Sequence, residues 1–244
     1  ARTMQFPFNW LAQGIVRGAL QGVCVVHTEE PIVPEVMAID AWVRPRPSRA
    51  TEREARGLLG RMAHRAALYE PFRRGPTTGE YRDCQLKRFA LDQHRRKSAV
   101  ERKRPCPPLP WLWFLCARMP PRWLRREVPR RMKDWPVGFY SSPSRSGPRL
   151  VVIPELPRTR ETFLLRMMGA GATLRDALTD FRALPDDAPE RVVVEPLLVQ
   201  LQRDLPRMQE LTVTLIPEDA EDMMTYEEAV RIWTDTRTRL AQAE

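Results

Sequence analysis

Residues 111–116 read Trp-Leu-Trp-Phe-Leu-Cys, an unbroken apolar run between the proline-rich stretch 105–110 and Pro120. Successive side chains of a strand point to opposite faces, so a run that is apolar at every position reads as a strand of a sheet covered on both sides. The rest of the chain supplies candidates for the cover. Apolar residues at Phe6, Trp10, Leu11, Ile15, Val16, Ala19 and Leu20 have helical spacing. Short apolar runs at 23–26 and 36–43 read as strands, punctuated by Pro31, Pro34, Pro45 and Pro47. A helix is predicted over 51–63 and a strand over 66–72. Gly75-Pro76 then turns the chain, and Thr77 or Thr78 can cap a long helix over 79–102. Strands interleaved with helices argue an α/β fold around a mixed central sheet.

Beyond residue 120 the signals change. Residues 120–148 are rich in Arg, Pro and Trp and carry few periodic cues. Residues 149–153 read as another strand. Helices follow over 159–168 and 173–184, with a third ending near Leu205, and together they form a helical C-terminal extension. Residues 211–216 alternate as an edge strand would. Thr225, with Glu228 at capping-box spacing, opens a terminal helix. The expected division is a core over residues 1–156, a helical segment over 157–205 and an acidic tail over 206–244.

With 43% hydrophobic and 29% charged residues among 244, the composition is that of a globular chain with a sizeable core. No apolar run approaches the roughly 20 residues of a membrane span, so no membrane partner is expected. No basic segment precedes an apolar one as in a signal peptide, so none is expected. Cys24, Cys84, Cys106 and Cys116 are far apart and form no C-x-x-C, and unpaired thiols fit a reducing cytoplasm.

Charge is unevenly placed. The net charge is +9. Lysine occurs only at 87, 97, 103 and 133, so 36 of the 40 basic residues are arginine, a bias that GC-rich codons produce. Placement is more informative: residues 41–147 hold 26 basic and 9 acidic residues, whereas 186–244 hold 6 basic and 14 acidic. Two readings stand. One is a polyanion-binding surface with a tail that packs on it or competes for it; the other is mutual neutralisation of the two halves.

Several chemistries lose support at once. There is no G-x-G-x-x-G, Walker A loop, G-x-S-x-G or H-E-x-x-H. His27, His64 and His94 are scattered and lack ligand spacing. What remains is a pair of carboxylates on apolar strands, Asp40 within 36–43 and Glu70 within 66–72. A buried acid needs compensation, and Mg²⁺ or Mn²⁺ provides one for hard oxygen ligands. The alternative is that each acid points to solvent, as every second strand residue can.

The order helix, three strands, helix, strand, with Asp40 in Ile39-Asp40-Ala41-Trp42 and Glu70 in Tyr69-Glu70-Pro71-Phe72, resembles the αβββαβ restriction-endonuclease-like core of the PD-(D/E)XK nuclease superfamily. In that family an acid on the second core strand and an E-x-K on the third hold Mg²⁺, and the lysine orients or activates water. Here Phe72 stands at the lysine position, and Lys87 is the only lysine in the first half of the following helix. Arg73 and Arg74 are closer in sequence, but arginine keeps its proton at working pH. Leu156-Pro157-Arg158-Thr159-Arg160-Glu161-Thr162, Leu164-Leu165-Arg166 and Gly169-Ala170-Gly171 resemble the C-terminal segment of bacterial Rpn-like proteins, transposase-associated recombination-promoting nucleases of that superfamily. Glu70-Pro71-Phe72-Arg73 and Asp83-Cys84-Gln85-Leu86-Lys87 are similar to motifs of the same group.

The resemblance implies Mg²⁺-dependent DNA cleavage, with Asp40 and Glu70 as metal ligands and Lys87 beside the nucleophile. DNA phosphates would meet Arg73, Arg74, Arg88, Arg95, Arg96, Lys97, Arg122, Arg125 and Arg126, giving salt-sensitive affinity. A homodimer is compatible with this reading. Trp123 and Trp135 are candidates for base stacking, whereas Trp111 and Trp113 are expected in the core. Phe72 keeps a second reading open, a degenerate nuclease fold that binds nucleic acid or a protein without cutting. A third is an adaptor whose acidic terminal helix docks a partner.

Overall fold

The first helix, α1 (Pro7–Leu20), buries Leu11, Ala12, Ile15, Val16, Ala19 and Leu20, the stripe that helical spacing puts on one side. It opens a chain that the computed structural model describes over residues 7–33, 37–128, 130–144, 146–211, 227–228, 230–231 and 234. After it come β1 (Cys24–Val33), β2 (Met37–Pro45), α2 (Ala50–Glu54), α3 (Gly57–Met62), β3 (Ala67–Phe72) and α4 (Thr78–Glu101). Then follow β4 (Trp111–Cys116), α5 (Arg122–Glu127), β5 (Arg130–Arg131), β6 (Phe139–Ser141) and β7 (Arg149–Val152). The described chain continues through α6 (Phe163–Arg166), α7 (Ala172–Ala183) and α8 (Pro189–Leu211).

The strands form one mixed sheet in the order β1-β2-β3-β4-β7-β6-β5. β1, β2 and β3 make an antiparallel meander, while β4 is parallel to both β3 and β7. The all-apolar β4 lies centrally, covered on both faces as its composition requires. Trp113 and Leu115 enter one buried cluster; Leu112, Phe114 and Cys116 enter another. β3 alternates in step, with Ala67 and Tyr69 on the first face and Leu68 on the second. Helices α1, α3, α6, α7 and α8 cover the first face. Cys84 and Leu91 of α4 and Leu124 of α5 cover the second. Val193, Val194, Leu198 and Leu201 of α8 join the cluster that holds α1, so residues on either side of position 156 share one core.

Local departures from the sequence reading have local causes. The helix expected over 51–63 is split into α2 and α3, because Gly57 takes φ +62°, a left-handed conformation that a side chain disfavours. The helix expected over 159–168 begins as a 3-10 turn at Arg160–Thr162 before the four-residue α6. There the Thr162 hydroxyl donates to the backbone oxygens of Pro157 and Thr159, and accepts from Arg166 Nε at 3.2 Å. Arg166, buried, reaches Asp180 of α7 at 2.7 Å, and Arg158 reaches the same carboxylate. Residues 120–148, without periodic cues, hold α5, β5 and β6, elements too short to leave a periodic pattern. Leu211, where the edge strand is predicted to begin, is the last residue of α8; residues 212–216 and most of the helix predicted from Thr225 lie outside the described residues. No helix among the described residues is long and apolar enough to cross a membrane.

Candidate active site

The ladder between β2 and β3 stops at the pair Ala41–Tyr69. In antiparallel register the next residues are Asp40 and Glu70, which become neighbours where the two strands part. β3 continues along β4 through Glu70–Phe114 and Pro71–Leu115. Pro71 has no N–H to donate, and it is tolerated because β2 has already left that side.

Two helices close over this strand end. On the second face, α4 starts with a capping box: the Glu80 N–H donates to Thr77 Oγ1 at 3.2 Å, and the Thr77 N–H donates to Glu80 Oε2 at 2.7 Å. The cap fixes where the helix begins and so which side faces the sheet. Cys84, Arg88, Leu91 and Asp92 are buried on that side, and Lys87 lies between Cys84 and Leu91 at helical spacing. Its ammonium nitrogen is 3.3 Å from Glu70 Oε2, as expected of a lysine drawn to the core side by an acid pair. At the open end of the ladder α1 also reaches the site. Gln13, buried at 8% exposure, donates its side-chain amide to Asp40 Oδ1 at 3.1 Å.

The electrostatics follow from burial. Glu70 is 1% exposed, and its carboxyl is pushed up to about 8 by desolvation and by the adjacent Asp40 charge, against the pull of Lys87. For Lys87, burial acts to lower the pKa, but Glu70, Cys84 and Asp40 outweigh it and hold the amine above its ordinary value. Burial, reinforced by Glu70, raises the Cys84 thiol strongly, so this cysteine is a neutral wall of the site. The second oxygen, Glu70 Oε1, is buried, and a side-chain hydrogen bond to Asp40 helps hold a proton on the pair. Two buried carboxyls that share a proton in this way are a donor set suited to a hard divalent cation once the proton is lost. Among the described residues no group of three or more His, Cys, Asp and Glu could hold a metal. Two carboxylates nevertheless suffice for Mg²⁺, which keeps several waters and takes further oxygens from a phosphate.

Other residues singled out in the sequence fare differently. Phe72, at the expected lysine position, packs its ring edge on Phe114 at a centroid distance of 5.6 Å, so that position is apolar and the cation comes from α4. Arg88 does not face solvent. It is 2% exposed and donates to the Ser146 carbonyl at 2.5 Å and to Gln85 at 3.3 Å, which removes it from any phosphate-binding surface. Arg95 lies over the Trp42 ring at 5.2 Å, and Arg96 pairs with Asp92 at 2.7 Å. Arg73 is half-buried beyond β3; Arg74, Lys97, Arg122, Arg125 and Arg126 are exposed. Trp123 packs edge-on to Tyr81 at 5.6 Å, and Trp135 lies against Phe139 at 4.7 Å with Arg61 over it; both stay half-exposed. Gln13 escaped the sequence reading. Its one signal is an amide inside the apolar run 10–16 of α1.

No family model, curated protein or solved structure matches this chain.

Proposed function

We propose that the chain is a divalent-metal-dependent DNA endonuclease of the PD-(D/E)XK type, hydrolysing phosphodiester bonds at Asp40, Glu70 and Lys87. The observation that carries this reading is the Lys87 ammonium 3.3 Å from Glu70, with Asp40 adjacent, at the point where two core strands separate. The surrounding order supports it: α1, an antiparallel three-strand meander with the short helices α2 and α3 inserted before its third strand, then α4, and a fourth strand parallel to the third. Apart from that insertion, the order follows the αβββαβ pattern expected of a restriction-endonuclease-like core.

In this reading Asp40 and Glu70 hold Mg²⁺ or Mn²⁺, whose chemistry is to neutralise charge on the phosphate and make a water more acidic. The protein groups do the rest. Gln13 fixes the orientation of Asp40 by donating to Oδ1. Glu70 must lose its proton before it can serve as a ligand, so metal binding and proton release are linked. Lys87 keeps its positive charge at neutral pH, where it balances one carboxylate and stands beside the attacking water. Phe72 and Phe114 form a dry wall that strengthens these charges.

A second reading, a nuclease fold that binds without cutting, is favoured by the burial of Glu70, which leaves little of the carboxyl open to solvent. Nicking of supercoiled plasmid in Mg²⁺ or Mn²⁺, by the wild type and by Asp40→Asn, separates the two. Cleavage by the wild type alone supports the enzyme; none from the folded wild type with either metal leaves the binding protein.

A further inference from the structure

A second basic feature lies further along α4, away from the acid pair. A cleft of about 450 Å³ opens between the C-terminal half of α4 and strands β1 and β2, lined by Trp42, Arg44, His94, Arg95, Arg102 and Arg104 among others. No carboxylate is among its described lining residues. On the helix, Asp92 is engaged by Arg96 at 2.7 Å, and Glu101 is exposed beside Arg102. Arg95 is the most enclosed of the cleft arginines. Burial lowers its pKa, and Arg44 and Arg96 repel it further, although Asp92 partly offsets them. It donates to the Pro108 carbonyl at 3.2 Å and lies over Trp42, so its position is fixed before any ligand arrives.

The chain bends sharply to bring the last arginines here. Lys103 takes φ +51°, a left-handed conformation that costs a lysine about 1 kcal/mol. The Arg104 N–H bonds back to the Ala99 carbonyl at 2.8 Å and the Lys103 N–H to Val100 at 3.0 Å. This pairing closes a Schellman turn. The turn places Arg102 and Arg104 at the mouth, and Pro105 and Pro107 line it beside them. Four arginines around one concavity repel each other when it is empty and are relieved by an anion.

We infer that this cleft seats one phosphate-bearing nucleotide of a single nucleic-acid strand. The arginines would hold the phosphate, and the Arg95 guanidinium, held over the buried Trp42, would form a flat wall for the base. Its volume lies within the roughly 300–1,000 Å³ of small-ligand pockets and is too small to admit a duplex. Arg95 follows Lys87 by eight residues, about 12 Å along the helix axis, so a strand seated here can continue to the acid pair within a few nucleotides. The placement of the strand end rests on the nuclease reading; occupancy of the cleft does not.

The test is binding of fluorescein-labelled oligothymidylate, followed by anisotropy in EDTA so that no cleavage intervenes. Arg44→Ala/Arg104→Ala is compared with Arg175→Ala/Arg182→Ala, which removes the same charge from exposed positions on α7 across the sheet. The cleft double is expected to lose at least about tenfold in affinity. Its log K against log salt slope should flatten by about 0.7, one single-strand phosphate contact. The α7 double should stay within about twofold of the wild type. Equal losses in the two doubles would overturn the inference, as would duplex DNA binding as tightly as the single strand. Competition by inorganic phosphate or thymidine monophosphate at the concentration where the oligonucleotide competes would also overturn it, making the cleft a small-anion site. Tight cleft-dependent binding without metal-dependent cleavage would leave this inference standing and remove the enzyme reading. Cleavage that ignores the cleft double would do the reverse.

Discussion

Lys87 and Glu70 are 17 residues apart in sequence, on a helix and a strand, and the Lys87 amine and the Glu70 carboxyl meet at 3.3 Å on the buried side of that helix. Such a pair is costly to desolvate, and it persists here with a second carboxyl, Asp40, hydrogen-bonded beside it. Groups with displaced pKa values gathered at a strand end mark a candidate site for chemistry.

The raised pKa of Glu70 makes stability depend on pH. Its ordinary value of 4.5 moves to about 8 in the fold, so the folded protein holds a proton that the unfolded chain releases. This contribution is fully present below about 4.5 and is lost as pH rises through about 8. Glu70→Gln removes the titration. The variant should gain on the wild type as pH rises from 5 to 8.5, by on the order of 3 kcal/mol in urea unfolding. A constant difference across that range would show that Glu70 is ionised in the fold.

Metal binding should carry the opposite pH signature. Because Glu70 must deprotonate to become a ligand, Mn²⁺ affinity should rise by up to about tenfold per pH unit between 6 and 8, with about one proton released. Calorimetry at one pH in buffers of different ionisation enthalpy counts that proton. Asp40→Asn and Glu70→Gln should each abolish the binding heat. Retained heat in both variants would place the metal elsewhere.

Gln13 acts on Asp40 rather than on substrate, so it is a positioning residue. Gln13→Leu should weaken Mn²⁺ binding by about 10–100-fold, the usual penalty for losing a partner of a ligand. Gln13→Glu should weaken it less, since a carboxylate there can ligate. Unchanged Mn²⁺ affinity in Gln13→Leu would reduce the 3.1 Å contact to a packing detail.

The family position of the lysine offers a swap. Phe72, two residues beyond Glu70, falls on the same strand face. Lys87→Met should lose cleavage, and Phe72→Lys added to it should return part of that activity, read as plasmid nicking. The double variant also loses the Phe72–Phe114 edge contact, worth about 1 kcal/mol. A double variant that is folded and as inactive as Lys87→Met would mean that the cation must come from α4.

Much of this arrangement is legible in the residues. The unbroken apolar run 111–116 requires cover on both faces, and β4 receives it. Thr77 and Glu80 announce the start of α4, and that start sets the phase which turns Lys87 inward. The same phase argument, carried one residue further, would have removed Arg88 from the phosphate-binding set, since it lies four residues after Cys84 on the buried side. Gln13 is illegible for another reason: nothing local reveals that α1 crosses behind β2. The break at Gly57 and the two- and three-residue strands β5 and β6 depend on tertiary pairing, which no periodic pattern encodes. The cleft at the end of α4 needs Lys103 in a left-handed conformation, a state that sequence assigns by default to glycine.

The most direct test of the central claim is the cleavage rate of Lys87→Met beside the wild type on supercoiled plasmid in Mg²⁺, with Mn²⁺ affinity measured on the same samples. The account predicts cleavage slowed at least about a hundredfold, as for loss of a group acting at the reacting atoms, while the carboxylates still bind metal. Nicking by Lys87→Met at the wild-type rate would contradict it, because the Lys87–Glu70 contact would then be structural and the active site would lie elsewhere.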